Sequence, residues 1–273
     1  MDIRVDLTPG RPASPERPAS AGRPGEAYAV SAEFYDLLHA RAYHRHALAL
    51  AAPAAAARIG IVEAGAGTGL VTGVLVGASI VPVHAVEPAA AMRAVLLSRL
   101  HSPAGGPAGD RVTVHACSAL DLSLGGMAGL ADLADLADLA DLAVCLRMVP
   151  CLPPEERRRL WQALAALLVP GGLLLLDRPP SRLPAHPVHR GLGQVRTGID
   201  TYGGQLTRCA EDGLIRYDYS YVVCRAGRIL RRARETFLLW PLTREALGTE
   251  LAAAGLVLEE DLAPNLLRAR RVD

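Results

Sequence analysis

The chain contains no lysine: every basic residue among its 29 is arginine. With abundant alanine, leucine, glycine and proline, this looks like the codon usage of a GC-rich bacterial genome, and it carries no functional information. A charge surplus is also missing. The formal charge is +1, so there is no electrostatic case for binding nucleic acid or an acidic membrane surface. Long apolar runs are absent too. Leu48 to Ala57 is interrupted by Pro53 and followed by Arg58, and Leu164 to Leu176 is broken by Pro170-Gly171-Gly172. Neither reaches the ~20 residues needed to span a bilayer. The N-terminus has Asp2 and Arg4 and no apolar stretch, so it does not read as a secretion signal. The five cysteines are odd in number and form no C-x-x-C pair. Reduced thiols in a cytoplasmic protein are the expectation.

What is present suits one enzyme domain. The chain has 273 residues, 51% of them hydrophobic, enough for an α/β domain with a lid or insert. Residues 1–25 read as a disordered leader, because residues 8–25 are rich in Pro, Ala, Ser, Gly and Arg. From Tyr28 the pattern turns helical, and two helices are expected over 31–52. Strands are expected at 59–62, 81–86, 112–116, 142–148 and 173–177, with helices between them. Alternating strands and helices imply a Rossmann-like, doubly wound, mostly parallel sheet. From Arg182 the character changes. Three β segments, 205–210, 214–224 and 229–240, are separated by Glu211-Asp-Gly213 and Arg225-Ala-Gly227, as in an antiparallel meander. This gives an insert over 182–241. A helix capped by Thr243 and closed by Gly255 follows, then strands at 256–258 and 266–272.

Residues 130–143 repeat Ala-Asp-Leu four times. A three-residue period drifts around a helix of 3.6 residues per turn, so neither an apolar stripe nor a cluster of aspartates results. The segment reads as a slippage-expanded surface stretch leading into strand four, and no metal site is expected.

The most informative stretch is Ile59-Gly-Ile-Val-Glu63-Ala-Gly65-Ala66-Gly67-Thr-Gly69-Leu70. Apolar strand residues run into three glycines at alternate positions, then a helix. Glycines there can take positive φ and let a ligand touch the backbone. A dinucleotide fingerprint needs G-x-G-x-x-G, and here the third glycine comes one residue early. Glu63 would repel a phosphate and attract a cation. The turn therefore suits a cationic, phosphate-free nucleoside better than NAD. A second segment, Val81-Pro-Val-His-Ala-Val86-Glu87-Pro88, places an acid 24 residues after Glu63 at a strand tip, where doubly wound folds bind a ribose diol. One carboxylate can accept both hydroxyls in parallel.

The pattern acid-x-G-x-G-x-G resembles motif I of the class I S-adenosylmethionine (SAM)-dependent methyltransferases. Glu87-Pro88-x-x-x-Met92 resembles motif II. Val114-His-Ala-Cys-Ser118-Ala119-Leu-Asp121 resembles motif III, with Cys117-Ser118 where Gly-Asp is common, and 141–146 resembles motif IV. Leu167-Leu-Val-Pro-Gly-Gly172 and Leu251-Ala-Ala-Ala-Gly255-Leu extend the likeness over residues 26–273. The resemblance implies SAM as cofactor. Glu63, Gly65, Ala66, Gly67 and Gly69 would cradle its methionine part. Glu87 and Pro88 would take the ribose, and Met92, Ser118 and Ala119 the adenine. Glu33-Phe-Tyr35-Asp36 with Tyr43 resembles the helix that closes over SAM in small-molecule members, and the meander resembles the lid of glycine- and sugar-amine-type N- and O-methyltransferases. DNA methyltransferase motifs are missing.

The implied reaction is in-line attack of O or N on the sulfonium methyl, with a small organic acceptor, possible in bacterial secondary metabolism, and no nucleic acid or membrane partner. A homodimer stays open. Among candidate bases, His44, His46, His186 and His189, the last two follow strand five, where the fold opens to its ligand; with Tyr35 they are the candidate catalytic residues. Two other functions remain open: a SAM-binding relative that catalyses a cyclisation or pericyclic step, and a non-catalytic SAM-binding module.

Overall fold

A computed structural model describes residues 28–102, 109–122 and 139–272. The segment 1–25 and most of the Ala-Asp-Leu repeat lie outside them. The first element among the described residues is one long helix, α1 (Ser31–Ala56). Two helices were expected here. Pro53 sits in the last turn, close enough to the end for the helix to continue through it, and Ala57 N still bonds Pro53 O.

β1 (Ile61–Ala64), α2 (Leu70–Ala78), β2 (Val83–Val86), α3 (Ala90–Leu100), β3 (Val112–His115), β4 (Ala140–Cys145), α4 (Pro154–Leu167) and β5 (Leu168–Asp177) follow. With β10 (Leu256–Leu258) and β11 (Leu266–Arg271) they build a seven-stranded sheet in the order β10-β11-β5-β4-β1-β2-β3. β1 to β5 are parallel, while β10 and β11 run antiparallel to their neighbours. The fold is the expected Rossmann-like α/β arrangement. Strand order reverses at β1, between β4 and β2, so the carboxyl ends of β1, β4 and β2 border the crevice where such sheets bind ligands.

The core lies on both faces of this sheet. Trp161, Leu160 and Leu164 of α4 pack with Leu247 and Leu251 of α5 (Arg244–Ala252) on one side. Leu50 and Ala54 of α1 pack with Leu75 and Val76 of α2 on the other. Thr243 caps α5 as expected: its hydroxyl accepts Ala246 N.

The last repeat unit is not a surface stretch leading into strand four but part of the strand itself. Ala140-Asp141-Leu142 is the start of β4, with Ala140 and Leu142 buried against β5 and β1. Asp141 accepts three backbone N–H groups, from Arg58, Ile59 and Gly60, and so fixes the entry to β1.

The second sheet is a four-stranded antiparallel meander: β6 (Val188–Thr197), β7 (Asp200–Glu211), β8 (Leu214–Arg225) and β9 (Arg228–Leu239). The sequence showed three of these strands. β6 is rich in Gly, Arg and His and lacks apolar alternation, and its pairing with β7 makes it a strand. Register fixes which side chains share a face. Tyr217, Tyr219, Tyr221 and Val223 of β8 lie on the side that meets α1, where Phe34 stacks on Tyr221 at 4.4 Å between ring centroids. Ser31 joins them, its N–H to Glu235 at 2.8 Å and its hydroxyl to that of Tyr221 at 3.0 Å.

Candidate active site

All three glycines of the turn after β1 have positive φ: 76° at Gly65, 58° at Gly67 and 80° at Gly69. Two of them have a steric reason as well. A Cβ on Gly65 would press on Met148 at 3.1 Å, and one on Gly69 would fall 2.4 Å from Leu96. One on Gly67 would meet nothing within 4 Å, so this part of the backbone faces open space. The N–H groups of Gly65 and Ala66 both donate to Val86 O, which binds the turn to the end of β2.

Two acids frame this turn. Glu63 is 3% exposed, and its carboxyl accepts the Thr72 hydroxyl at 2.6 Å. Burial pushes its pKa up to about 8; the Thr72 bond opposes that and the nearby Glu87 adds to it. Glu87 accepts Gly67 N–H on one oxygen and Ala89 N–H on the other, both at 2.8 Å. Each oxygen keeps a second lone pair, so the carboxylate is aimed, and still able to accept two hydroxyls. Its pKa is raised by burial, against the two backbone bonds and Arg93. Met92 is buried on α3, Ala119 is buried in the short turn after β3, and Ser118 caps that turn by accepting Leu120 N–H.

Helix α1 is fastened to this turn by Asp36. Asp36 accepts the Thr68 hydroxyl at 2.6 Å and pairs with Arg99, whose Nε also donates to Thr68 O at 3.0 Å. The neighbouring face of α1 carries Tyr35, His39 and Tyr43 at i, i+4 spacing. Tyr35 and Tyr43 share a hydrogen bond between their hydroxyls. The His39 ring lies 5.0 Å from Tyr35 and 5.6 Å from Tyr219 of the meander. Tyr28 closes the group, 4.7 Å from Phe237 and 6.5 Å from Tyr35.

Beneath these rings are the carboxyl ends of β4 and β5. Arg147, two residues past β4, has φ 59° and donates its backbone N–H to Asp177 at 2.7 Å. Its guanidinium lies 5.0 Å from the Tyr43 ring centroid. Burial, then Arg147 and Arg190, lower the His39 pKa to about 4, so the imidazole is neutral near pH 7. Burial raises Tyr43 and Tyr219 to about 12, so both stay protonated donors.

No protein-family model matches the chain, and a search of curated proteins returns no match. Solved structures do match. The chain is 25% identical to the SAM-bound CalS10 of Micromonospora echinaspora, described as an amino pentose methyltransferase of calicheamicin biosynthesis. That alignment covers 88% of this chain and 97% of CalS10 with a TM-score of 0.67. The chain has the fold of the class I SAM-dependent methyltransferases, and its likeness to CalS10 supports a methyltransferase. SAM is the cofactor of that family, and the turn geometry, with its open backbone face and aimed carboxylate, fits it. Two further structures share the fold. KedS8, a sugar N-methyltransferase from Streptoalloteichus, is 21% identical over 97% of this chain and all of its own, at a TM-score of 0.64. DesVI of Streptomyces venezuelae is 17% identical over 89% of this chain and 98% of its own, at 0.70.

Among the sequence-derived site residues of this methyltransferase, Glu63, Gly65, Ala66, Gly67, Gly69, Glu87 and Pro88 come together around the turn, with Met92 on the adjoining helix. Tyr35 lies in the ring cluster. His186 and His189 do not. His186 is exposed in the segment before β6. His189 is opposite Thr207 in register and bonds its hydroxyl at 3.0 Å. Thr207 is opposite Asp218, whose neighbour Tyr219 points to α1, so His189 occupies the other face of the meander. The side chains of His44 and His46 lie outside the described set. Sequence reading missed His39, Arg147, Asp177 and Tyr219. The i, i+4 relation of His39 to Tyr35 and Tyr43 was the available signal. Nothing in the sequence marks Arg147.

Among the described residues, all five cysteines are free thiols, no group of three or more His, Cys, Asp or Glu is placed to hold a metal, and no helix is long and apolar enough to cross a membrane.

Proposed function

We propose that this methyltransferase transfers the methyl group of SAM to a nitrogen or oxygen of a small polar organic acceptor of the amino-sugar kind. The observation that carries this reading is the cluster of Tyr35, His39 and Tyr43 on α1, facing Arg147, Asp177 and Tyr219, beyond the carboxyl ends of β4 and β5 and next to the glycine turn. Ring faces suit the C–H surface of a small ring, and the phenol, imidazole and carboxylate groups suit its hydroxyl and amine substituents. The amino pentose and sugar N-methyltransferase descriptions of CalS10 and KedS8 support the same class.

The roles divide by element. Glu63 and the turn Gly65–Gly69 hold the methionine part, Glu87 with Pro88 the ribose, and Met92, Ser118 and Ala119 the adenine. SAM, when bound, supplies an electrophilic sulfonium methyl. The protein aligns the nucleophile with it and excludes water; positioning of this kind contributes about 7–11 kcal/mol. Tyr35 and Tyr43 orient the acceptor. His39, held neutral, has a free nitrogen to accept a proton from it. His186, exposed before β6, and His189, on the other face of the meander, take no part in this cluster.

The test is incubation with methyl-labelled SAM and a panel of amino sugars, followed by mass spectrometry. Label in the product supports the reading. A rearranged but unlabelled product would instead favour a non-methylating SAM enzyme. Binding of NADH with no binding of SAM in a calorimetric titration sinks the reading altogether.

A further inference from the structure

The acceptor cluster contains a cation, Arg147, that Asp177 acts on electrostatically but that forms no direct ion pair through its guanidinium among the described residues. The backbone of Arg147 takes a left-handed conformation that non-glycine residues adopt at a cost, and the bond from its N–H to Asp177 pins it there. Its guanidinium lies over the Tyr43 ring, the phenols of Tyr43, Tyr35 and Tyr219 surround it with Asp177 nearby, and among the described residues it makes no direct ion pair of the kind seen at other arginines. Other shielded arginines differ. Arg157 pairs with Glu250 at 2.7 Å, and Arg99 pairs with Asp36. A partly buried charge is costly unless something pairs with it.

A second cation points the same way. Arg190 of β6 is opposite Leu206, and Leu206 is opposite Tyr219, so Arg190 shares the face of the meander that meets α1. The hydroxyls of Tyr35, Tyr43 and Tyr219 add donors, and His39 adds no charge.

We propose that the acceptor of this methyltransferase carries an anionic oxygen group, a carboxylate or a phosphate, received by the guanidinium of Arg147. This rests on the reading of the cluster as the acceptor site. The planar guanidinium presents parallel N–H donors that match two oxygens of such a group, and phenol hydroxyls complete its hydrogen bonding. The same positive charge would disfavour a second cation nearby, so an amine on the acceptor is held unprotonated with its lone pair free for the methyl.

The experiment uses the full chain saturated with S-adenosylhomocysteine, which has no methyl to transfer. Benzoate, phenyl phosphate and the neutral benzamide are titrated by calorimetry. Wild type should bind one of the anions at least about tenfold more tightly than benzamide. The stronger of the two identifies the group as carboxylate or phosphate. Arg147→Gln should erase that preference while S-adenosylhomocysteine affinity stays within about twofold, and Arg147→Lys should restore part of it. Equal binding of anions and benzamide by wild type overturns the proposal without any variant. An equal loss of S-adenosylhomocysteine affinity in Arg147→Gln also overturns it, by assigning Arg147 to the cofactor's own carboxylate. Wild type that fails to bind S-adenosylhomocysteine would overturn the cofactor reading as well, so the two failures are distinguishable.

Discussion

At position 69 an added methyl group would fall 2.4 Å from the buried side chain of Leu96, on a backbone with φ 80°. At position 67 the same methyl would meet nothing within 4 Å, at φ 58°. Both substitutions carry left-handed strain of about 1–2 kcal/mol. Only Gly69→Ala adds a clash in the core. Gly69→Ala should therefore lose about 2 kcal/mol or more by denaturant unfolding. Gly67→Ala should lose less stability but bind SAM at least about tenfold more weakly, because its methyl occupies the face left open to the cofactor. Equal stability losses with unchanged SAM affinity would remove Gly67 from the site. Glu63 supplies a second residue-scale prediction. With its pKa at about 8, its carboxyl is mostly protonated at pH 7, and an arriving cation favours the carboxylate. SAM binding at pH 7 should release up to one proton, read as a dependence of calorimetric enthalpy on the buffer's ionisation enthalpy. Glu63→Gln should abolish that dependence.

Among the elements, α1 bridges the two halves of the site. Asp36 ties it to the glycine turn, and Phe34 and Ser31 tie it to the meander. Asp36→Asn keeps the size and removes the charge that holds Arg99. Because the pair is about one-third exposed, the stability loss should stay within about 1 kcal/mol, while SAM affinity falls as Arg99, no longer held by a carboxylate, loosens its hydrogen bond to Thr68 O. A thermal-shift titration with SAM separates the two effects. The parallel sheet and its turn were legible in the sequence because their chemistry is local: three glycines must take positive φ, and the acid 24 residues after Glu63 ends a short apolar strand. β6 was not legible, since only its partner β7 makes it a strand. The start of β4 was hidden by the Ala-Asp-Leu repeat, in which one unit of several becomes core. Arg147 was invisible because its importance lies in a backbone angle and in neighbours from α1, β5 and β8, all distant in sequence. His186 and His189 had the right place along the chain and the wrong side of the sheet, which register alone decides.

For the whole molecule, two buried groups set opposite pH dependences. His39 has a folded pKa of about 4 against an ordinary value of 6.5, so the unfolded chain binds its proton first. Its contribution is present above pH 6.5 and is lost as pH falls towards 4. Glu63 has a folded pKa of about 8 against an ordinary 4.5, so the folded protein holds that proton longer. Its contribution is present below pH 4.5 and is lost as pH rises through 8. Between pH 4.5 and 6.5 the two slopes oppose each other. Between pH 6.5 and 8 only the Glu63 slope remains of the pair, and it approaches about 1.4 kcal/mol per pH unit at most. The cofactor-free protein should therefore lose stability from pH 6.5 to 8 in urea unfolding. Glu63→Gln, which is neutral at every pH, should flatten that limb. His39→Gln should leave it intact and flatten the acid limb instead. Saturating SAM should flatten the alkaline limb in wild type, because bound cationic ligand stabilises the carboxylate that burial disfavours. If wild type is equally stable at pH 6.5 and 8 without SAM, Glu63 is already ionised in the empty turn, and the proton release predicted on binding should be absent from the same preparation.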